Sequence, residues 1–213
     1  NFQARAFEQH LRNHKIPYAL SGGQSFFDRA EIKDLICYLR LLANGDDDPA
    51  FIRAVTTPKR GIGNVTLEAL GSYAGMRHVS LFEATFEAGA EQHVNAKQLP
   101  ALREFGQLIN RFEARAAREP ARTVLYDLVK AIGYEAWLFD SCDPREAETK
   151  WANVCDFVEW LAKKGDEEDK KLPELTQTVA LLSMLDKNDA EQDAVQLATL
   201  HAAKGLEFRH VFL

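Results

Sequence analysis

The sequence predicts a mainly α-helical protein that begins and ends in short α/β pieces. Three observations carry that expectation. Apolar residues recur at helical spacing through most of the chain, two short segments near its ends have the pattern of strands, and the composition, 46% hydrophobic and 27% charged, is that of an ordinary globular protein.

Taken in order, Ile16–Leu20 (IPYAL) reads as a short strand, and the glycine pair Gly22 and Gly23 after it can serve as a hinge. Ile32, Leu35, Ile36, Leu39 and Leu42 then form one helical stripe. Leu102, Phe105, Leu108, Ile109 and Phe112 form a second, and Val124, Leu125, Leu128, Val129 and Ile132 a third. Trp151, Val154, Val158 and Leu161 continue the pattern, as do Leu175, Val179 and Leu182. Aromatic residues at this spacing are packing residues, because their large apolar area favours burial. Ala194–Leu200 (AVQLATL) reads as a strand with Val195, Leu197 and Thr199 on one face, and His210–Leu213 (HVFL) as the start of another. The helical stretch from Ser25 to about Asp189 is therefore read as an insertion between pieces of an α/β domain.

A chain of 213 residues can bury a core without disulfides or metal. Cys37, Cys142 and Cys155 are widely spaced and form no CxxC pair, so neither a disulfide framework nor a zinc site is suggested, and a reducing cytoplasm fits. No segment has the ~20 consecutive apolar residues of a membrane span, so no membrane role is expected. The chain opens on NFQARAFEQHL without an initiator Met, as a piece of something longer would. Its net charge of −6 argues against a surface that grips nucleic acid everywhere; any such contact is local. Acidic charge sits at GDDD (45–48) and GDEED (165–169), both expected as solvated loops. By contrast, Arg53, Lys59 and Arg60 lie in a stretch with no acidic residue between Pro49 and Glu68.

That stretch holds TTPKRGIGNVTLEAL, residues 56–70. Pro58 ends the preceding helix, Gly61 and Gly63 permit backbone angles closed to other residues, and Asn64 is the expected N-cap of a helix beginning at Val65. Backbone N–H groups of Gly61, Ile62 and Gly63, with the positive end of the next helix behind them, suit a phosphate, and Lys59 and Arg60 add charge. Two readings stand at this point: a phosphate-backbone contact that binds duplex without reading its sequence, or a plain helix hairpin whose glycines only permit the turn.

The run from Gly22 to Leu70, GGQSFFDRAEIKDLICYLRLLANGDDDPAFIRAVTTPKRGIGNVTLEAL, together with TLHAAKGLEF at 199–208, resembles superfamily 1 DNA helicases of the UvrD/Rep type. EIKD with YLRL, RGIG and LHAAKGLEF carry the resemblance, which extends over nearly the whole chain. Members have two RecA-like motor domains, 1A and 2A, each with a helical insertion, 1B and 2B. The resemblance implies a helical 2B domain at 23–190, flanked by strips of an incomplete RecA-like domain 2A at 1–22 and 191–213. It implies a parent that uses ATP and Mg²⁺ to move 3′ to 5′ along single-stranded DNA and to part the duplex ahead, in the bacterial cytoplasm, with replication or repair proteins as possible partners.

Residue by residue, NFQAR resembles motif IV, which gives Asn1 a contact to single-stranded DNA and Arg5 a structural role; Ala4 stands where the family usually has Ser. TLHAAKGLEF resembles motif V, which gives Thr199 and His201 the DNA backbone and Gly205 and Glu207 the nucleotide, Glu207 through the ribose; Ala203 replaces a common Ser. RGIG resembles the element of 2B that meets duplex DNA, so Lys59, Arg60, Gly61, Ile62 and Gly63 keep the role read above. Motif V can couple the two ligands because a short element separates its contacts, with a Thr hydroxyl offered to phosphate and a carboxylate to a sugar hydroxyl. Phosphoryl transfer also needs a phosphate-cradling GxxxxGK[ST] loop, yet none of the twelve glycines is followed by Lys. The chain by itself is therefore expected neither to hydrolyse ATP nor to unwind DNA. The competing expectation is a helical protein-interaction module without DNA contact, and a third is the same region of a repair paralogue.

Overall fold

The computed structural model describes residues 7–8, 10–11, 14, 16–21, 26–185 and 194–212. Asn1, Ala4, Arg5 and the glycine pair Gly22 and Gly23 lie outside them. By the density of its contacts the chain divides into two units, Ala30–Val179 and the two terminal segments Asn1–Arg29 with Ala180–Leu213.

The first unit is helical throughout. Its central helix, α1 (Ala30–Ala43), is buried on nearly every side, through Ile32, Leu35, Ile36, Tyr38, Leu39, Leu41 and Leu42. A helix apolar around its whole circumference needs partners on every side. α1 has them in α2 (Asp48–Thr56), α6 (Leu99–Ala116) and α9 (Pro144–Glu168). Phe51 and Phe105 meet edge to face at 5.8 Å, and Tyr38 meets Phe105 at 6.2 Å, so aromatic packing ties the first two partners to α1. Between α2 and α6 run α3 (Asn64–Arg77) and the short helices α4 (Leu81–Phe86) and α5 (Ala90–His93). After α6, the helices α7 (Ala121–Ala131) and α8 (Tyr134–Ser141) pack on α9. The helix α10 (Leu172–Leu185) starts beyond a left-handed cap at Asp169 and buries Leu172, Leu175 and Val179.

Both acidic runs differ from the solvated loops expected of them. Asp47 caps α2 by accepting from the Ala50 N–H at 3.1 Å and also holds Arg40, while Asp48 accepts from the Leu81 N–H at 2.8 Å. GDEED is mostly helix: Gly165 lies inside α9, where a side chain would crowd Leu175 at 3.0 Å and Ala121 at 3.1 Å. Charge density in a sequence does not separate a free carboxylate from a capping one.

In the second unit β1 (Tyr18–Ser21) pairs in parallel with β2 (Val195–Ala198), Tyr18 opposite Val195 and Ser21 opposite Ala198. Both strands were expected; their parallel register comes from the structure. Glu8, nearly fully buried, forms an ion pair with Arg29 at 3.2 Å. HVFL does not continue as a strand: residues 209–212 have no regular structure and Val211 and Phe212 are exposed.

Candidate nucleic-acid interface

The turn at residues 57–63 is built from its flanks inward. Four C=O groups at a helix C-terminus lack intrahelical partners, and here α2 delivers them beside the loop. Arg60 fills that role. Its Nη1 donates to the carbonyls of Ala54 at 2.9 Å, Val55 at 3.2 Å and Pro58 at 2.8 Å, and its Nη2 donates to the Tyr38 hydroxyl at 2.6 Å. The guanidinium lies 5.0 Å from the centroid of the Phe105 ring and 5.9 Å from that of Tyr38, within reach of a cation–π attraction. The Tyr38 hydroxyl in turn donates toward the carbonyls of Thr57 at 2.7 Å and Ala54 at 2.9 Å. Burial pushes the Tyr38 hydroxyl up to about 12, partly opposed by Arg60, so it stays a neutral donor at ordinary pH. Arg60 was read with Lys59 as charge for a phosphate; in the structure its guanidinium is directed to the negative end of α2.

Outside this inner layer the turn is open. Lys59, Gly61 and Gly63 are exposed, and Ile62 is buried as an apolar anchor beneath them. Gly61 has φ +72° and no atom within 4 Å of where a side chain would begin; Gly63 likewise has open space there. The N-cap of α3 is Gly63 rather than Asn64, and it makes no side-chain capping bond. A glycine cap leaves the first N–H groups of the helix without a hydroxyl or carboxylate partner. Among the described residues, the N–H groups of Gly61, Ile62, Gly63, Asn64 and Val65 meet no protein acceptor. Arg53, the third member of the basic stretch, is used elsewhere: it donates to Asp34 at 2.7 Å and to the Ala30 carbonyl at 3.0 Å.

The EIKD segment that resembles the family supplies the buried polar links behind this site. Asp34 accepts from Tyr134 at 2.6 Å as well as from Arg53, and Glu31 accepts from Asn153 Nδ2 at 2.7 Å. Burial and the neighbouring Asp34 carboxylate push the Tyr134 hydroxyl well above its usual range. Sequence reasoning missed Tyr38, Asp34 and Tyr134 as supports. The available signal was two acids and a tyrosine inside an otherwise apolar helical stripe, where a buried polar group requires a partner.

The second candidate site follows β2. The Thr199 hydroxyl accepts from the Ala202 N–H at 3.1 Å, the Thr199 carbonyl accepts from the Ala203 N–H at 2.9 Å, and Gly205 closes the turn at φ +86°. The side chains of His201, Lys204 and Glu207 are exposed. Thr199 thus shapes the turn with its lone pair and keeps its own proton available as a donor. Gly205 has open space around it, which leaves room for close approach of a ligand. Among the described residues no three His, Cys, Asp or Glu side chains gather to hold a metal ion, and no helix is long and apolar enough to cross a membrane.

The whole chain, residues 1–213, matches the UvrD-like helicase C-terminal domain, and it belongs to that family. Among its relatives are the ATP-dependent DNA helicases Rep of Salmonella typhimurium, 44% identical, and of Escherichia coli, 43% identical, aligned over all of this chain and 32% of each relative. The ATP-dependent DNA helicase PcrA of Bacillus subtilis is 35% identical over all of this chain and 30% of its own length. The chain thus spans about a third of the length of the relatives it matches.

Proposed function

We propose that the chain is the helical 2B domain of a Rep-type ATP-dependent DNA helicase, residues 23–190, with the flanking strips 1–22 and 191–213 contributed to RecA-like domain 2A. Its own task is to meet duplex DNA ahead of the motor and regulate unwinding. The observation that carries this reading is the row of N–H groups from Gly61 to Val65 that meet no protein acceptor, at the positive end of α3, beside exposed Lys59. Such a row accepts a phosphate of any sequence, which suits a motor that travels. The parallel pairing of β1 with β2 supports the assignment of both strips to one α/β domain.

In the parent, Asn1, Thr199 and His201 contact single-stranded DNA, and Gly205 and Glu207 face the nucleotide. Hydrogen bonds close the segment from Thr199 to Leu206, a short element that links Glu207, next in the chain, to Thr199. ATP, when bound, would supply the free energy of phosphoryl transfer; the exposed Glu207 carboxylate would accept from a ribose hydroxyl, and Gly205, with open space at its Cβ position, would leave room for the nucleotide. Mg²⁺ would accompany the nucleotide. The whole works in the bacterial cytoplasm, with replication or repair proteins as partners.

Lys59→Glu tests the duplex role, because Lys59 carries charge without supporting the fold. In the intact helicase it should lower affinity for a 3′-tailed duplex at least tenfold while leaving affinity for the tail alone unchanged, measured by fluorescence anisotropy; equal affinity for the tailed duplex would leave the helical unit as a protein-interaction module. Replacing Glu207 by Ala should weaken nucleotide binding about tenfold and DNA binding little, and replacing His201 by Ala the reverse, as expected for losing one hydrogen bond to a charged group. Equal losses of both ligands in both variants would defeat that division of labour.

A further inference from the structure

The duplex reading treats RGIG as one contact surface, but the geometry divides it. We infer that Arg60 is a positioning residue, held with the Tyr38 hydroxyl as an internal clasp that aims the Gly61–Gly63 backbone, and that Lys59 with the N–H groups alone faces the phosphate. The inference rests on the duplex reading and deepens it.

Four observations converge. Nη1 of Arg60 has two protons and lies within hydrogen-bonding distance of three carbonyls, so none is left to give. Nη2 is engaged by the Tyr38 hydroxyl at 2.6 Å. The guanidinium face lies over Phe105, a side chain itself fully buried. Two of the carbonyls, Ala54 and Val55, belong to the last turn of α2, so drawing Arg60 toward a DNA phosphate would strip that helix end of its cation and leave the Tyr38 oxygen without a donor. Meanwhile Ile62 pins the middle of the turn from below, and Gly61 and Gly63 have nothing over them. The clasp and the anchor together hold in place a stretch of backbone whose N–H groups meet no protein acceptor.

A planar fork is required for this. Lysine keeps the charge of Arg60 but carries a single ammonium that cannot bridge α2, Pro58 and Tyr38 together. The two roles therefore separate on a conservative change. In the intact helicase, the quantity to measure is the ratio of affinity for a 3′-tailed duplex to affinity for the tail alone, as a function of salt, well below the melting transition of each variant. Arg60→Lys and Tyr38→Phe should each lower that ratio about fivefold and leave its salt slope as in the wild type, since no phosphate contact is removed. Lys59→Ala should reduce the slope by about one, the mark of a lost phosphate contact. A direct contact by Arg60 predicts instead that Arg60→Lys retains the wild-type ratio, and that result overturns the inference. A wild-type ratio for Tyr38→Phe overturns it equally, and decides the matter should Arg60→Lys fail to fold, because Phe keeps the ring that packs on Phe105. If Lys59→Ala leaves both ratio and slope untouched, the duplex reading itself fails and takes the clasp's purpose with it.

Discussion

The turn at 57–63 and the turn at 199–205 use the same local devices to different depth. Each is closed by a glycine at positive φ, Gly61 at +72° and Gly205 at +86°, and each presents an exposed lysine. Behind the first stand a half-buried arginine, a buried tyrosine and the edge-to-face packing of Phe105 on Phe51 and Tyr38. Behind the second, among the described residues, stand only its own hydrogen bonds and a two-stranded sheet, while Leu200, Leu206 and Phe212 are exposed. The lesson is that a turn's conformation can be written locally, whereas its aim has to be set by the layer beneath.

That contrast can be broken by unfolding experiments. The largest effect should come from Phe105→Ala, which removes a ring packed against Tyr38, Phe51 and Arg60 and should destabilise the helical unit by about 3–5 kcal/mol in denaturant titration. Next come the paired substitutions Gly61→Ala and Gly205→Ala, which meet no steric neighbour and so isolate backbone strain of about 1–2 kcal/mol. Gly61→Ala should lower the melting temperature of the helical unit, whereas Gly205→Ala should leave it unchanged; equal shifts would mean that the two turns report on one cooperative structure. The smallest effect belongs to Leu206→Ala, whose side chain is 53% exposed and whose loss should move stability by no more than about 0.5 kcal/mol.

Much of the fold was legible because it depends on periodicity. Ile32, Leu35 and Leu39 lie buried in the stripe that their spacing marks, and both terminal strands occur where IPYAL and AVQLATL place them. What escaped the sequence depends on direction. Lys59 and Arg60 are adjacent and equally charged, yet one is exposed and the other turned to the end of α2, because only the three-dimensional position of three carbonyls distinguishes them. Asn64 is a better capping residue than Gly63, but the turn enters the helix one residue early and puts glycine at the cap. HVFL has a strand's composition, and a strand needs a neighbouring edge that the described residues do not give it. The RGIG turn was marked by its glycines and unopposed basic charge and LHAAKGLEF by its likeness to a family; the inward bonds of Arg60 were legible in neither.

The parallel register of β1 and β2 sets a rule for anyone who would prune this protein. An antiparallel pair could be rejoined by two residues after its insertion was cut out, but a parallel pair leaves one strand at the end opposite to where it enters the next. Any trimmed version must therefore keep a return path of about a dozen residues, running the length of the sheet and rising on the right-handed side.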